Sequence, residues 1–282
     1  MNELGEITDK IVQLLQYDPV SPLIFSSGLF LFLFGGFTFF YQFMRREVML
    51  RIVYVTLFSL YFYYKTSGFF FLLLIAVSVS DFLIGKGIAR SDRQGLRKGL
   101  LALSVALDIG LLIYFKYTNF FIGIVNGLSG HHWLDFQNIF LPVGISFFVF
   151  QSISYTADIY RRRIEPLGMW IDYIFFLSFF PQLVAGPIVR ARDFIPQIRQ
   201  NPLTVTREMF GTGIFLILSG LFKKAIISDY ISLNFVDRVF DDPLLYSGFE
   251  NLMGLYGYAL QIYCDFSGYS DMAIGIALLL GF

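Results

Sequence analysis

Four apolar runs in the first half of the chain limit what it can fold into: residues 22–43, 52–64 with its flanks, 69–86 and 100–125. A membrane-spanning helix needs about 20 apolar residues, and runs of that length have no second, polar face to offer water. The remaining composition agrees. Only 15% of the 282 residues are charged and 56% are hydrophobic, whereas a soluble domain carries about 25% charged residues. The 35 phenylalanines and 17 tyrosines suit lipid-facing and interfacial positions. The expected fold class is an all-α polytopic membrane protein.

Basic clusters punctuate the runs. Arg45, Arg46 and Arg51 follow the first, and Lys86, Arg90, Arg93, Arg97 and Lys98 follow the third. Arg161, Arg162 and Arg163 close a further apolar segment at 139–158. Lys and Arg accumulate in cytoplasmic loops. An extracytoplasmic N-terminus therefore places all three clusters inside, if 139–158 crosses once. The loop holding His131 and His132 then faces outward. The first 21 residues set Glu3, Glu6, Asp9 and Asp18 against Lys10, the wrong sign for a signal-peptide n-region. Their apolar positions fit either an amphipathic helix lying on the membrane or a frayed terminus.

Several chemistries are excluded. Acidic and basic residues balance at 21 each, so no basic field invites nucleic acid. The single cysteine, Cys264, rules out a disulfide framework and a multi-cysteine zinc site. Adjacent histidines without Cys, Asp or Glu at ligand spacing make a poor metal motif. No metal site is expected.

After residue 165 a simple count of crossings fails. In "MWIDYIFFLSFFPQLVAGPIVRARDFIPQ", Pro181, Gly186 and Pro187 interrupt an apolar run, and Arg190 and Arg192 follow at once. A full crossing would put these arginines outside; a segment that enters and returns would not. "LPVGIS", with Pro142 and Gly144, has the same signature. Each reads either as a proline-kinked helix or as broken backbone, which is tolerated at membrane depth only beside protein or a water-filled cavity. Residues 208–230 form a further helix ending at an interfacial pair, Lys223 and Lys224. The run 249–282 is too long for one straight span.

Asp81, Asp108, Asp158, Asp172, Asp265 and Asp271 all lie in or beside apolar segments. An aspartate at a helix centre costs about 2.5–3.5 kcal/mol on insertion scales. Asp81, Asp108 and Asp172 are expected at helix ends or the interface, and Asp158 beside the arginine triplet. "YCDFSGYSDMAIG", residues 263–275, is denser. On a helix, Tyr263, Ser267, Ser270 and Asp271 share one face, and Gln261, Asp265 and Tyr269 a second. Asp265 and Asp271 point about 120° apart, so they are no carboxylate dyad. Gly257, Gly268 and Gly275 allow close backbone approach. Either this helix is wholly buried, or it unwinds near Gly268 and lines a cavity. "GYSDM" lacks the last glycine of the nucleophile elbow.

Four blocks in order, "LPVGISFFVFQSISYTADIYR" (141–161), "FFPQLVAGPIVRARDFIPQI" (179–198), "GLFKKAIISD" (220–229) and "YALQIYCDFSGYSDMAIGIALLLGF" (258–282), resemble the membrane-bound O-acyltransferase family. Within it they are similar to the bacterial alginate O-acetylation and teichoic acid D-alanyl transfer branch. The resemblance implies a ring of tilted helices, with re-entrant or broken segments, around a central tunnel. It divides the chain into an interfacial segment (1–21), membrane helices with an external loop (22–138) and the first part of the core (139–282).

The resemblance also implies an acyl group, acetyl above all, passed from a cytoplasmic donor such as acetyl-CoA or an acyl carrier protein, with no bound cofactor. The acceptor is an extracytoplasmic polysaccharide or wall polymer, reached with an extracytoplasmic acyltransferase partner, in the bacterial cytoplasmic membrane. Gln151, Tyr155, Gln182, Asp265, Ser267 and Asp271 fall in the matching motifs as tunnel-lining or donor-positioning residues. The family's catalytic histidine follows the last block, beyond Phe282, so the chain as given is expected to be inactive alone. A multi-pass transporter or flippase with a polar intramembrane path is the alternative, though no internal repeat supports it.

Overall fold

The computed structural model describes residues 13–19, 21–131, 133–184 and 186–282. Among them there is no strand, and the all-α expectation holds. The helices are α1 (Gly28–Met44), α2 (Val48–Ser67), α3 (Phe71–Arg90), α4 (Gln94–Leu112), α5 (Thr118–Ser129), α6 (Ile145–Tyr160) and α7 (Trp170–Ser178). There follow α8 (Phe180–Leu183), α9 (Ala191–Ile198), α10 (Arg207–Leu221), α11 (Asp229–Ile231), α12 (Asp237–Asp241) and α13 (Gly248–Leu280). Among the described residues three helical stretches are long and apolar enough to cross a membrane: Val48–Arg90, Gln94–Ser129 and Arg207–Asp241. In the last, only 11% of the apolar window is buried. Most of the N-terminal interfacial segment lies outside the described residues.

The chain forms two compact units. The first comprises residues 1–22, 49–184 and 188–200. Its core joins α2, α3, α4 and α6 to the α7–α8 turn through Tyr63, Leu74, Leu112, Phe148 and Leu183. Arg51, Lys86 and Arg97 each tie a basic side chain to backbone carbonyls within this unit. Arg51 donates to the carbonyls of Ile198 and Gln200 at 2.9 and 2.8 Å, Arg97 to that of Tyr160 at 2.6 Å, and Lys86 to that of Gly168 at 3.0 Å. The 118–143 region has its own ties: Val143 N–H donates to Ser67 Oγ at 3.1 Å, and the Phe70 and Phe140 rings stack 5.3 Å apart. Lys65 donates to the carbonyl of Leu14 at 2.9 Å.

Both interrupted segments are broken backbone, as one of their two readings held. Gly144 takes a left-handed φ of 74° immediately before α6. After α7, Phe179 leaves the helical region with ψ of 107°, and α8 adds a single turn. Residues 186–190 carry no helix, and α9 then begins. The two breaks meet, with Gly144 packed on the backbone of Leu183.

The second unit comprises residues 23–48, 185–187 and 201–282. Ser27 caps α1 and Thr206 caps α10, each accepting from a first-turn N–H. Ser247 and Glu250 form a reciprocal capping box at the start of α13. From there α13 runs unbroken for 33 residues. Tyr41 on α1 donates to the carbonyl of Leu280 near its end, at 2.7 Å.

Candidate functional site

Three groups of polar residues stand out, two in the first unit and one in the second. In the first unit, Ser154, Ala157, Asp158, Arg161, Arg163, Arg190 and Arg192 line a hollow of roughly 280 Å³. Arg97, Arg162, Arg163, Asp92 and Glu165 help line a neighbouring one of roughly 430 Å³. Arg163 belongs to both, and its guanidinium is 3.7 Å from the Asp158 carboxylate. The arrangement follows from the break after α7. The chain enters at Trp170, turns at Leu183 beside Gly144, and brings Arg190 and Arg192 back to the pocket lined by Arg161 and Arg163. Asp172 at the start of α7 pairs with Arg199 beyond α9 at 2.9 Å, which fixes the two arms together. A guanidinium cluster of this kind suits phosphate or carboxylate groups, which arginine grips bidentately.

The second group is buried between α3, α4, α6 and α7. Asp81 accepts from Ser104 Oγ at 2.6 Å and from Ser152 Oγ. Ser152 also bonds the Tyr173 hydroxyl at 2.7 Å, and the Ser104 and Thr156 hydroxyl oxygens lie 3.1 Å apart. The expectation that Asp81 and Asp108 sit at helix ends is therefore wrong: both lie within their helices and are 1% exposed. For Asp81 the lipid penalty is offset by hydroxyl donors on neighbouring helices rather than by position, whereas Asp108 keeps a buried carboxylate oxygen without a hydrogen-bond partner. Asp172 does sit in a first helical turn, as expected.

The third group is the hairpin of α13 with the 207–241 stretch. Gly213 and Gly220 face Gly275 and Gly268, and a Cβ on Gly220 would stand 2.5 Å from the Gly268 carbonyl oxygen. The backbones are thus in contact, as the glycine positions suggested. The stretch opposite α13 is π-helical at Phe222–Ser228 and Ser232–Val236. Consecutive lysines fork around α13: Lys223 reaches Asp271 at 2.6 Å and Ser267 at 3.0 Å, while Lys224 reaches Asp265 at 2.6 Å and Asp229 at 2.7 Å. The wide angle between Asp265 and Asp271 is what two adjacent lysines can span. Lys223 and Lys224 are therefore not merely interfacial, and α13 neither unwinds at Gly268 nor is wholly buried.

The motif residues accordingly divide. Gln151, Tyr155 and Gln182 lie in the first unit; Asp265, Ser267 and Asp271 lie in the second. Gln182 donates to the Phe176 carbonyl at 2.7 Å, satisfying a group freed by the break. Its Oε1, and Nε2 of Gln151, are buried without a partner. The Tyr155 hydroxyl accepts from Leu167 N–H at 3.1 Å, and its ring lies 4.4 Å from that of Tyr173. His131 is exposed in the 118–143 region. Among the described residues no group of His, Cys, Asp and Glu could hold a metal. Ser104, Ser152 and Tyr173 escaped the sequence reading, because a serine or tyrosine inside an apolar helix carries no mark of its partner.

No family model matches the chain. Individual relatives do. It is 34% identical over 265 residues to the probable alginate O-acetylase AlgI of Pseudomonas putida, covering 92% of this chain and 53% of that protein. It is 32% identical over 285 residues to the peptidoglycan O-acetyltransferase of Helicobacter pylori, covering 91% and 54%. A weaker match, 27% over 152 residues, is the teichoic acid D-alanyltransferase of Bacillus subtilis, covering 51% and 37%. The chain spans about half the length of the curated relatives it matches over most of its own length. With its all-α membrane fold, its broken segments and these relatives, the chain belongs to the membrane-bound O-acyltransferase family.

Proposed function

We propose that this chain is the donor-handling part of a membrane O-acyltransferase. The enzyme moves an acyl group from a cytoplasmic donor across the membrane to an extracytoplasmic polysaccharide or wall polymer. The observation that carries the reading is the return of Arg190 and Arg192 to the pocket lined by Arg161 and Arg163. Acetyl-CoA and the prosthetic arm of an acyl carrier protein both present phosphate, which four guanidinium groups would hold. The broken backbone at Gly144 and Leu183 supplies the irregular, protein-surrounded segment that a polar path needs. Gln151 and Gln182, each with an unpartnered amide atom, are placed along that path. Asp265, Ser267 and Asp271 act through Lys223 and Lys224, holding the hairpin rigid.

Acetyl is favoured as the acyl group, because the relatives named for O-acetylation match over 92 and 91% of the chain and the D-alanyl relative over 51%. The positive-inside pattern orients the arginine end toward the cytoplasm and the His131 end outward, in the bacterial cytoplasmic membrane. Activation of the hydroxyl acceptor is assigned to another part of the enzyme or to an extracytoplasmic partner.

The test uses the complete polypeptide in proteoliposomes with radiolabelled acetyl-CoA or acyl carrier protein on the arginine side. Label appearing on acceptor polymer inside the vesicles supports the reading. Counterflow of a labelled solute with no acyl transfer would replace it with a transporter.

A further inference from the structure

The acyl path makes no use of the polar group buried between α3, α4, α6 and α7. Asp81, Ser104, Asp108, Ser152, Thr156 and Tyr173 are each at most 1% exposed. Among the described residues neither carboxyl joins an ion pair with a basic side chain.

The protons of this group can be placed one by one. A hydroxyl carries a single proton. Ser104 and Ser152 each direct theirs to Asp81, so Tyr173 donates to Ser152. The Asp81 and Asp108 carboxyls are hydrogen-bonded to each other, and such a bond needs one proton between them. One negative charge is left, buried and without a basic partner, a costly state unless a counter-charge sits beside it. The other Asp108 oxygen, Oδ2, is buried with no donor.

An occupant that suits this place carries one positive charge and accepts lone pairs from oxygen. Water would reach Asp108 Oδ2 but leave the charge uncompensated. A divalent ion would overshoot it, and among the described residues no third Asp, Glu, His or Cys joins the pair to hold one. The hydroxyl oxygens are closely spaced, 2.7 Å between Ser152 and Tyr173 and 3.1 Å between Ser104 and Thr156, which suits a small ion. Hard cations take all-oxygen ligand sets of this kind. We propose that the group is a binding site for a monovalent cation of sodium's size. Its ligands are Asp108 Oδ2, the Asp81 carboxylate and the hydroxyl oxygens of Ser104, Ser152 and Thr156, so the ion ties α3, α4 and α6 together.

The test follows thermal unfolding of the purified full chain in detergent, at one pH and one ionic strength, in sodium chloride or in choline chloride. Sodium should raise the midpoint by about 2–4 °C, and equilibrium dialysis with radioactive sodium should show saturable binding. Asp81→Asn removes the charge and should abolish both effects. Asp108→Asn keeps a carbonyl oxygen and a donor toward Asp81, and should retain most of each. A general salt effect would not separate the two variants. Equal midpoints in the two salts for the unaltered chain overturn the proposal. So does a sodium effect that persists in Asp81→Asn, or one lost equally in both variants. If either variant fails to fold, the salt comparison and the dialysis of the unaltered chain decide.

Discussion

A Cβ built on Gly144 would stand 2.2 Å from the carbonyl oxygen of Leu183. Two segments broken by proline and glycine therefore seat backbone on backbone, and the left-handed φ of 74° at Gly144 starts α6 in the direction this contact requires.

Gly144→Ala meets both the φ penalty and the clash, so a loss of at least about 2 kcal/mol is expected. Gly130 is the control: its φ is 65° but nothing lies within 4 Å of its Cβ position. Thermal unfolding followed by fluorescent size exclusion should show a larger drop for Gly144→Ala than for Gly130→Ala. Equal drops would remove the Leu183 contact from the account.

Asp81→Ala removes the acceptor that Ser104 and Ser152 share and leaves them only Thr156 and Tyr173, whereas Asp81→Asn keeps acceptor capacity. The alanine variant should lose about 1–3 kcal/mol of stability and the asparagine variant less. A reversed order in the same unfolding assay would contradict the hydroxyl network.

In the α13 hairpin, Gly268→Ala meets the Gly220 carbonyl at 2.8 Å, while Gly257→Ala meets only a Val236 methyl at 3.0 Å. A side-chain methyl can move aside and a helix backbone cannot, so Gly268→Ala should be the more destabilising. Lys224→Met should cost about 1 kcal/mol, a modest figure because Asp265 is half-exposed.

Orientation is read by cysteine labelling after Cys264→Ser. His131→Cys should react with an impermeant maleimide from outside the cell, and Arg162→Cys should not. The opposite pattern would invert the assignment of the arginine end.

Much of this architecture was legible in the residues. Apolar run lengths located the long helices. Pro142 with Gly144, and Pro181 through Pro187, marked the breaks, and Arg190 following so soon after Pro187 implied a segment that returns. What the sequence lacked was partner information. Asp81 has the same local context as an interfacial aspartate, and only the placement of α4 and α6 brings Ser104 and Ser152 to it. Asp265 and Asp271 looked like polar residues awaiting a cavity. The π-helical register that turns Lys223 and Lys224 onto them leaves no sign in composition or spacing.

The central claim is acyl transfer to an envelope polymer, and the most direct measurement is the ester-linked acetyl content of purified envelope polysaccharide and wall. Cells in which the gene is deleted should lose that acetate. The intact gene should restore it, and a copy carrying Arg161→Glu, Arg163→Glu, Arg190→Glu and Arg192→Glu should not. Unchanged acetate in the deletion strain, in every envelope polymer assayed, would contradict the account.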